Sequence, residues 1–259
     1  MTPDAIQITA LEDDERANDY PYEAPPHSYL MDGDSYAEVA GFTKAELEGR
    51  VAVLSVGSNR APQQLLRKFA GKARLCVTRA LVKNCDIIHS ACFSYYGAVP
   101  CSAHPCEGTD IMLNAVWLTA GQLQIMHDTE AVGIAYDYCR WDEGAVEILD
   151  APQPEAVYGY ATRLGSLLDG EGNPFGLSAL PAIGRQFTPL SQAGARTKLY
   201  QKLPASLQEE DEARFIERLI ADKAYRLDVN DRLAALSAPI EGGPWTIIPA
   251  TPTDADSFL

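Results

Sequence analysis

The sequence predicts a mixed α+β fold: a small, partly closed sheet or barrel with helices added towards the C-terminus. Three observations predict it. Strand-length apolar or alternating runs dominate residues 51–162, few helical patterns separate them, and a long charged amphipathic stretch fills residues 207–236. With 259 residues, 46% of them hydrophobic, the chain is large enough to bury a sizeable core.

Residues 1–34 are rich in Pro, Asp, Glu and Tyr and show no sustained period, which reads as an extended arm or a partly ordered leader. Thr43-Lys44-Ala45-Glu46 has capping-box spacing and predicts a short helix before residue 51. Residues 51–69, VAVLSVGSNRAPQQLLRKF, organise the rest of the chain. Val51 to Val56 read as a strand buried on both faces, and Gly57-Ser58-Asn59 as a sharp break. Residues 62–69 read as a helix capped by Ser58 or Asn59, with Pro62 in its first turn. Such a turn aims several N–H groups at one point and suits a carboxylate or phosphate. The same pattern also describes a plain strand–helix connection that binds nothing. It is neither a P-loop nor a GxGxxG fingerprint.

Residues 74–96 carry two or three strand-like runs, among them Leu75-Cys76-Val77, Ala80-Leu81-Val82, Asp86-Ile87-Ile88 and Ala91-Cys92-Phe93. Tyr95-Tyr96-Gly97-Ala98-Val99-Pro100 reads as a turn open to close backbone approach. Residues 111–118 form another buried strand. Thr119-Ala120-Gly121-Gln122 is a second capping box, opening a helix that ends near Glu130. Residues 156–162 alternate as a strand does. Beyond Gly165 the chain turns Gly- and Pro-rich, then amphipathic over 207–236, with an interruption expected near Asp228. Its apolar stripe fits packing onto the preceding domain or onto a second copy in a homodimer. Residues 241–259 are expected to add an extended segment before fraying. The expected organisation is thus an arm and short helix over 1–50, an α+β barrel over 51–165 and a helical extension over 166–259.

Composition excludes several functions. Net charge is −15, from 21 Lys+Arg against 36 Asp+Glu, which disfavours nucleic acid and anionic lipid as partners. No apolar run approaches the roughly 20 residues of a membrane span, and the N-terminus lacks a basic start and apolar core. A cytoplasmic protein with no membrane partner is expected. The six cysteines lack a CxxC pair and an export signal, so disulfides are not expected. Cys101, His104 and Cys106 offer three metal ligands in six residues, or two small buried thiols beside a histidine.

His27, His89, His104 and His127 lie in unrelated contexts, without HExxH or GxSxG partners. Glu130 says more. At a helix end, four residues after Met126, it is either an acid turned to the core and able to take and return a proton, or an exposed acid beside a helix terminus.

Ser55-Val56-Gly57-Ser58-Asn59, followed after several strands by Met126-His127-Asp128-Thr129-Glu130-Ala131 and Tyr136, resembles the gamma-glutamylcyclotransferase-like family of small mixed β-barrel proteins. Tyr96-Gly97-Ala98-Val99-Pro100 fits between the two. The likeness covers about residues 51–163. It implies that Gly57, Ser58 and Asn59 hold the charged end of a glutamyl group, with Val56, Arg60, Tyr96, Gly97 and Tyr136 around the substrate. It further implies that Glu130 is the general acid/base as a γ-glutamyl compound closes to 5-oxoproline and expels an amine, with no metal or organic cofactor. Three positions depart from the family. Val56 replaces the motif's aromatic, Arg60 an apolar residue, and Ala131 a glycine. Arg60 is then either a partner for an extra carboxylate or a surface residue. A non-catalytic member of the fold that binds a small anionic metabolite or a protein partner is the alternative. A hydrolase built on Cys101, His104 and Cys106 is a third.

Overall fold

A computed structural model describes residues 5–249. The first part of the chain forms β1 (Ile6–Gln7), α1 (Asp13–Asn18), β2 (Tyr29–Asp32), β3 (Ser35–Glu38), β4 (Val51–Ser55) and α2 (Pro62–Lys68). The middle forms β5 (Arg74–Val82), β6 (Cys85–His89), β7 (Cys101–Pro105), β8 (Asp110–Leu118), α3 (Ala120–Thr129), β9 (Tyr136–Trp141), β10 (Val146–Ile148) and β11 (Val157–Thr162). The last part forms β12 (Gly176–Leu177), β13 (Ala182–Ile183), β14 (Pro189–Leu190), α4 (Gln192–Lys202), α5 (Glu212–Ala221), α6 (Lys223–Ala234) and β15 (Trp245–Ile247).

The fold is mixed α+β. Its main sheet has eleven strands, running β1-β3-β2-β5-β8-β4-β11-β9-β15, with β10 on β5 and β13 on β8 beside this path. A second sheet runs β14-β12-β6-β7. β4 lies inside the main sheet, antiparallel to β8 from Val51↔Leu118 to Ser55↔Asn114 and parallel to β11. That central place explains its near-continuous apolar sequence.

Period-two alternation divides the core. Ala52, Leu54, Ala80, Val82, Leu113 and Ala115 face one way and pack with Ile87, Cys101 and Ala103 of the second sheet. Val53, Val77, Val116 and Leu118 face the other way, against Leu65 and Phe69 of the α2 region and Met126 of α3. A third cluster joins α4, α5 and α6 to Ala91, Phe93 and Val99. The helical region thus packs on the loop after β6.

Several expectations are corrected. The sheet does not close: among the described residues β1 and β15, strands of two and three residues, end it without pairing to each other. The expected partly closed barrel is therefore an open mixed sheet, with the second sheet and the helices covering its two faces. Residues 43–46 make capping contacts, Glu46 accepting from Thr43 N and Oγ1 at 2.7 Å, yet the segment is a series of turns. One turn with few buried side chains cannot offset helix nucleation. Residues 91–93 lie outside the named strands, in the loop held by the C-terminal helices. The N-cap of α2 is Ala61; Ser58 and Asn59 sit upstream in a 3-10 turn, Ser58–Arg60. The break in the C-terminal helical run falls at Asp222, which closes α5 and caps α6 by accepting from Tyr225 N at 3.0 Å. The N-terminal arm contributes α1 and three strands. The expected fraying over 250–259 lies outside the described residues, as do residues 1–4. No helix among the described residues is long and apolar enough to cross a membrane.

Candidate active site

The residues that end β4 and those that end α3 meet in one cleft of about 620 Å³, its open mouth included. Val56, Gly57, Ser58, Asn59, Tyr96, Glu130 and Tyr136 all line it. Each arrives for a local reason. β4 is pinned between two strands, so its C-terminal turn has a fixed exit. α3 is set by its capping box, Gln122 N donating to Thr119 Oγ1 and Thr119 N to Gln122 Oε1, and its C-cap is Glu130.

Glu130 is buried, at 8% exposure. Its neighbours are polar: Asn59 Nδ2 donates to Oε1 at 2.9 Å, and the Lys68 ammonium makes a close ion pair with the same oxygen. Both partners take Oε1, and neither of these two bonds uses the second carboxylate oxygen. Lys68 is itself buried, its side chain only 2% exposed, and also meets Met126 Sδ at 3.7 Å. Burial pulls the Lys68 ammonium below its usual pKa, and the Glu130 carboxylate opposes that pull.

The turn is shaped by close approach. A Cβ on Gly57 would lie 2.5 Å from Tyr20 Oη and 3.0 Å from Cys101 Sγ, so no other residue fits without displacing them. Tyr20 Oη accepts from Cys101 N at 3.2 Å and lies 3.3 Å from Cys101 Sγ. A phenol therefore reaches this turn from the N-terminal segment, although position 56 is valine. Burial holds the Tyr20, Tyr96 and Tyr136 hydroxyls well above the usual tyrosine pKa, with Glu130 adding to the effect at Tyr136. Burial likewise pushes the Cys101 thiol up to about 12. These groups are neutral hydrogen-bonding walls rather than bases or nucleophiles. The first N–H groups of a helical turn find no acceptor within it, and those of Ser58 and Asn59 take none elsewhere among the described residues.

No family model, curated protein or solved structure matches the chain. The cleft is read from its own residues.

Two expected substrate residues are placed elsewhere. Arg60 turns away to β8, donating from Nε to Asn114 Oδ1 at 3.1 Å. Gly97, at φ +80°, faces α5; a Cβ there would meet Ile216 Cγ2 at 2.9 Å. Cys101, His104 and Cys106 do not gather: Cys101 meets Tyr20, His104 Nδ1 lies 2.8 Å from Pro105 O, and Cys106 Sγ is 3.1 Å from Thr109 Oγ1. Among the described residues no group of three or more His, Cys, Asp or Glu side chains is arranged to hold a metal ion. All six cysteines are free and buried.

The sequence reading missed Tyr20, Gln64, Arg67, Lys68, Tyr95 and Tyr160 in the lining. For Lys68 a signal existed. It lies three residues after Leu65, on the face of α2 that also buries Gln64 and Leu65. A lysine on that face needs a buried acid.

Proposed function

We propose that this chain is a gamma-glutamylcyclotransferase-like enzyme that closes 5-oxoproline from a γ-glutamyl compound and releases an amine. The observation that carries the reading is the 2.9 Å bond between Asn59 Nδ2 and Glu130 Oε1, which joins two segments 71 residues apart across a single cleft. In this reading the N–H groups of the 57–59 turn hold the charged end of the glutamyl group. The neutral α-amine attacks the γ-carbonyl, Glu130 takes the proton through its second oxygen, and the new ring C–N bond forms as the old one breaks. The departing amine leaves with that proton. Lys68 and Asn59 fix the orientation of the carboxylate, and the folded substrate supplies proximity. The chemistry calls for no metal or organic cofactor.

The ion pair itself favours a second reading. A carboxylate already engaged by a buried ammonium suits a cleft that binds a small anionic metabolite without turning it over. Release of 5-oxoproline from γ-glutamyl amino acids, γ-glutamyl amines and glutathione separates the two. Wild type is expected to release it and Glu130→Gln to lose at least about a hundredfold in kcat, the scale of a lost general base. Saturable binding of the same compounds by folded wild type, with no release from any, establishes the binder instead.

A further inference from the structure

The N-terminal arm walls the cleft on the side of the 57–59 turn. Its contribution is Tyr20, which lines the cleft at 6% exposure. The arm fixes this side chain by its own contacts. Tyr20 packs in the core with Leu54 and Cys101, and its ring meets that of Tyr22 edge-on at 6.0 Å. Tyr22 N donates to Asp19 O at 2.8 Å and Tyr22 Oη to Arg16 O at 3.2 Å. Arg196 of α4 ties the arm down from outside, Nη1 donating to Asn18 Oδ1 at 2.8 Å. A group held in advance loses little freedom when it makes a further contact.

The two roles of the Tyr20 hydroxyl are unequally met. As an acceptor it takes the Cys101 N–H at 3.2 Å. As a donor its described partner is Cys101 Sγ at 3.3 Å, a weak acceptor. The Cys101 thiol has Val56 O, 3.6 Å away, for its own proton. A buried O–H given only a sulfur gains from exchanging it for a charged oxygen. The 57–59 turn lies within reach, because Tyr20 Oη stands where a side chain at residue 57 would begin, 2.5 Å from the position of a Cβ. The N–H groups of Ser58 and Asn59 on the same turn have no acceptor among the described residues. Two amides and a phenol thus border one turn, and burial keeps the phenol protonated.

We infer that Tyr20 is a binding residue for the carboxylate of the ligand, its hydroxyl donating to that group at the 57–59 turn in exchange for Cys101 Sγ. The assignment rests on the reading that this turn takes the charged end of a glutamyl group, and it makes the N-terminal arm part of the site. It does not depend on turnover.

Tyr20→Phe keeps the ring and removes only the hydroxyl. With γ-glutamyl-alanine, KM is expected to rise about tenfold, the value of one charge-assisted hydrogen bond. The loss should appear in KM rather than kcat, because substrate and transition state hold the carboxylate alike. An unchanged KM in the folded variant, or a loss confined to kcat, overturns the assignment. Direct contact is read by placing 3-fluorotyrosine at residue 20, which retains the hydroxyl and gives a single fluorine signal. That signal should shift on saturation with γ-glutamyl-alanine and stay in place with 4-aminobutanoyl-alanine, which lacks only the glutamyl carboxylate. No shift, or the same shift with both, overturns the contact whether or not Tyr20→Phe folds. If wild type releases no 5-oxoproline from γ-glutamyl-alanine, the cyclotransferase reading fails by itself. Tyr20 then stands only if calorimetry shows that wild type binds this compound and that Tyr20→Phe weakens the binding about tenfold. Equal binding, or none, overturns it as well.

Discussion

Lys68 and Glu130 are each costly to bury alone and tolerable together. Replacing Lys68 by Met leaves a carboxylate at 8% exposure that keeps its bond from Asn59 but has lost its buried cation. That change is expected to cost about 3–5 kcal/mol, and adding Glu130→Gln should recover most of the loss; urea unfolding of the two variants measures both. His89 poses the opposite problem. It is fully buried, with Nε2 2.9 Å from Leu190 O and no described partner for Nδ1, and burial pulls its pKa down to about 4. Between pH 6.5 and 4 the unfolded chain binds a proton that the folded chain refuses. Stability should therefore fall as pH drops through that window, by on the order of 3 kcal/mol, and level off below it. His89→Gln should flatten the slope in a series of denaturation curves. At this scale the sequence is half legible. Glu130 can be found because helix spacing puts it near Met126. Lys68 is harder, because its position on α2 marks it for burial only once the acid that faces it is known.

Elements set by continuous or capped local patterns are readable. β4 shows its burial in its own composition, and α3 announces its start with a capping box. The identical signal at residues 43–46 points to a helix that does not form, since capping contacts cannot replace an apolar face. The stripe across α5 and α6 hides the break, because Asp222 ends one helix and begins the next without disturbing the spacing. Pairings between distant elements leave no such trace. Arg185, after β13, reaches Asp86 of β6 with two bonds of 2.8 and 2.7 Å, and also donates to Leu177 O and Leu180 O. Asp86 is completely buried. Arg185→Leu should therefore destabilise by about 3 kcal/mol or more, read as a shifted urea midpoint at constant slope.

Across the whole molecule, sheet closure is the feature least accessible from sequence, because it depends on whether the two ends of the path meet. The helical region, expected as an appendage, takes part in the cleft's support. Asn230 of α6 accepts from Phe93 N at 2.8 Å and donates to Phe93 O at 2.9 Å, while Ile216 of α5 packs on Gly97. The loop so held carries Tyr95 and Tyr96 into the cleft wall. Asn230→Ala should cost about 2 kcal/mol and speed exchange of the Phe93 amide, which loses its acceptor. That clamp also imposes an order on biosynthesis. A ribosome emits the 57–59 turn and Glu130 long before residue 230, so the nascent chain holds the reacting groups without the brace for their aromatic wall. The finished cleft is a late product of translation.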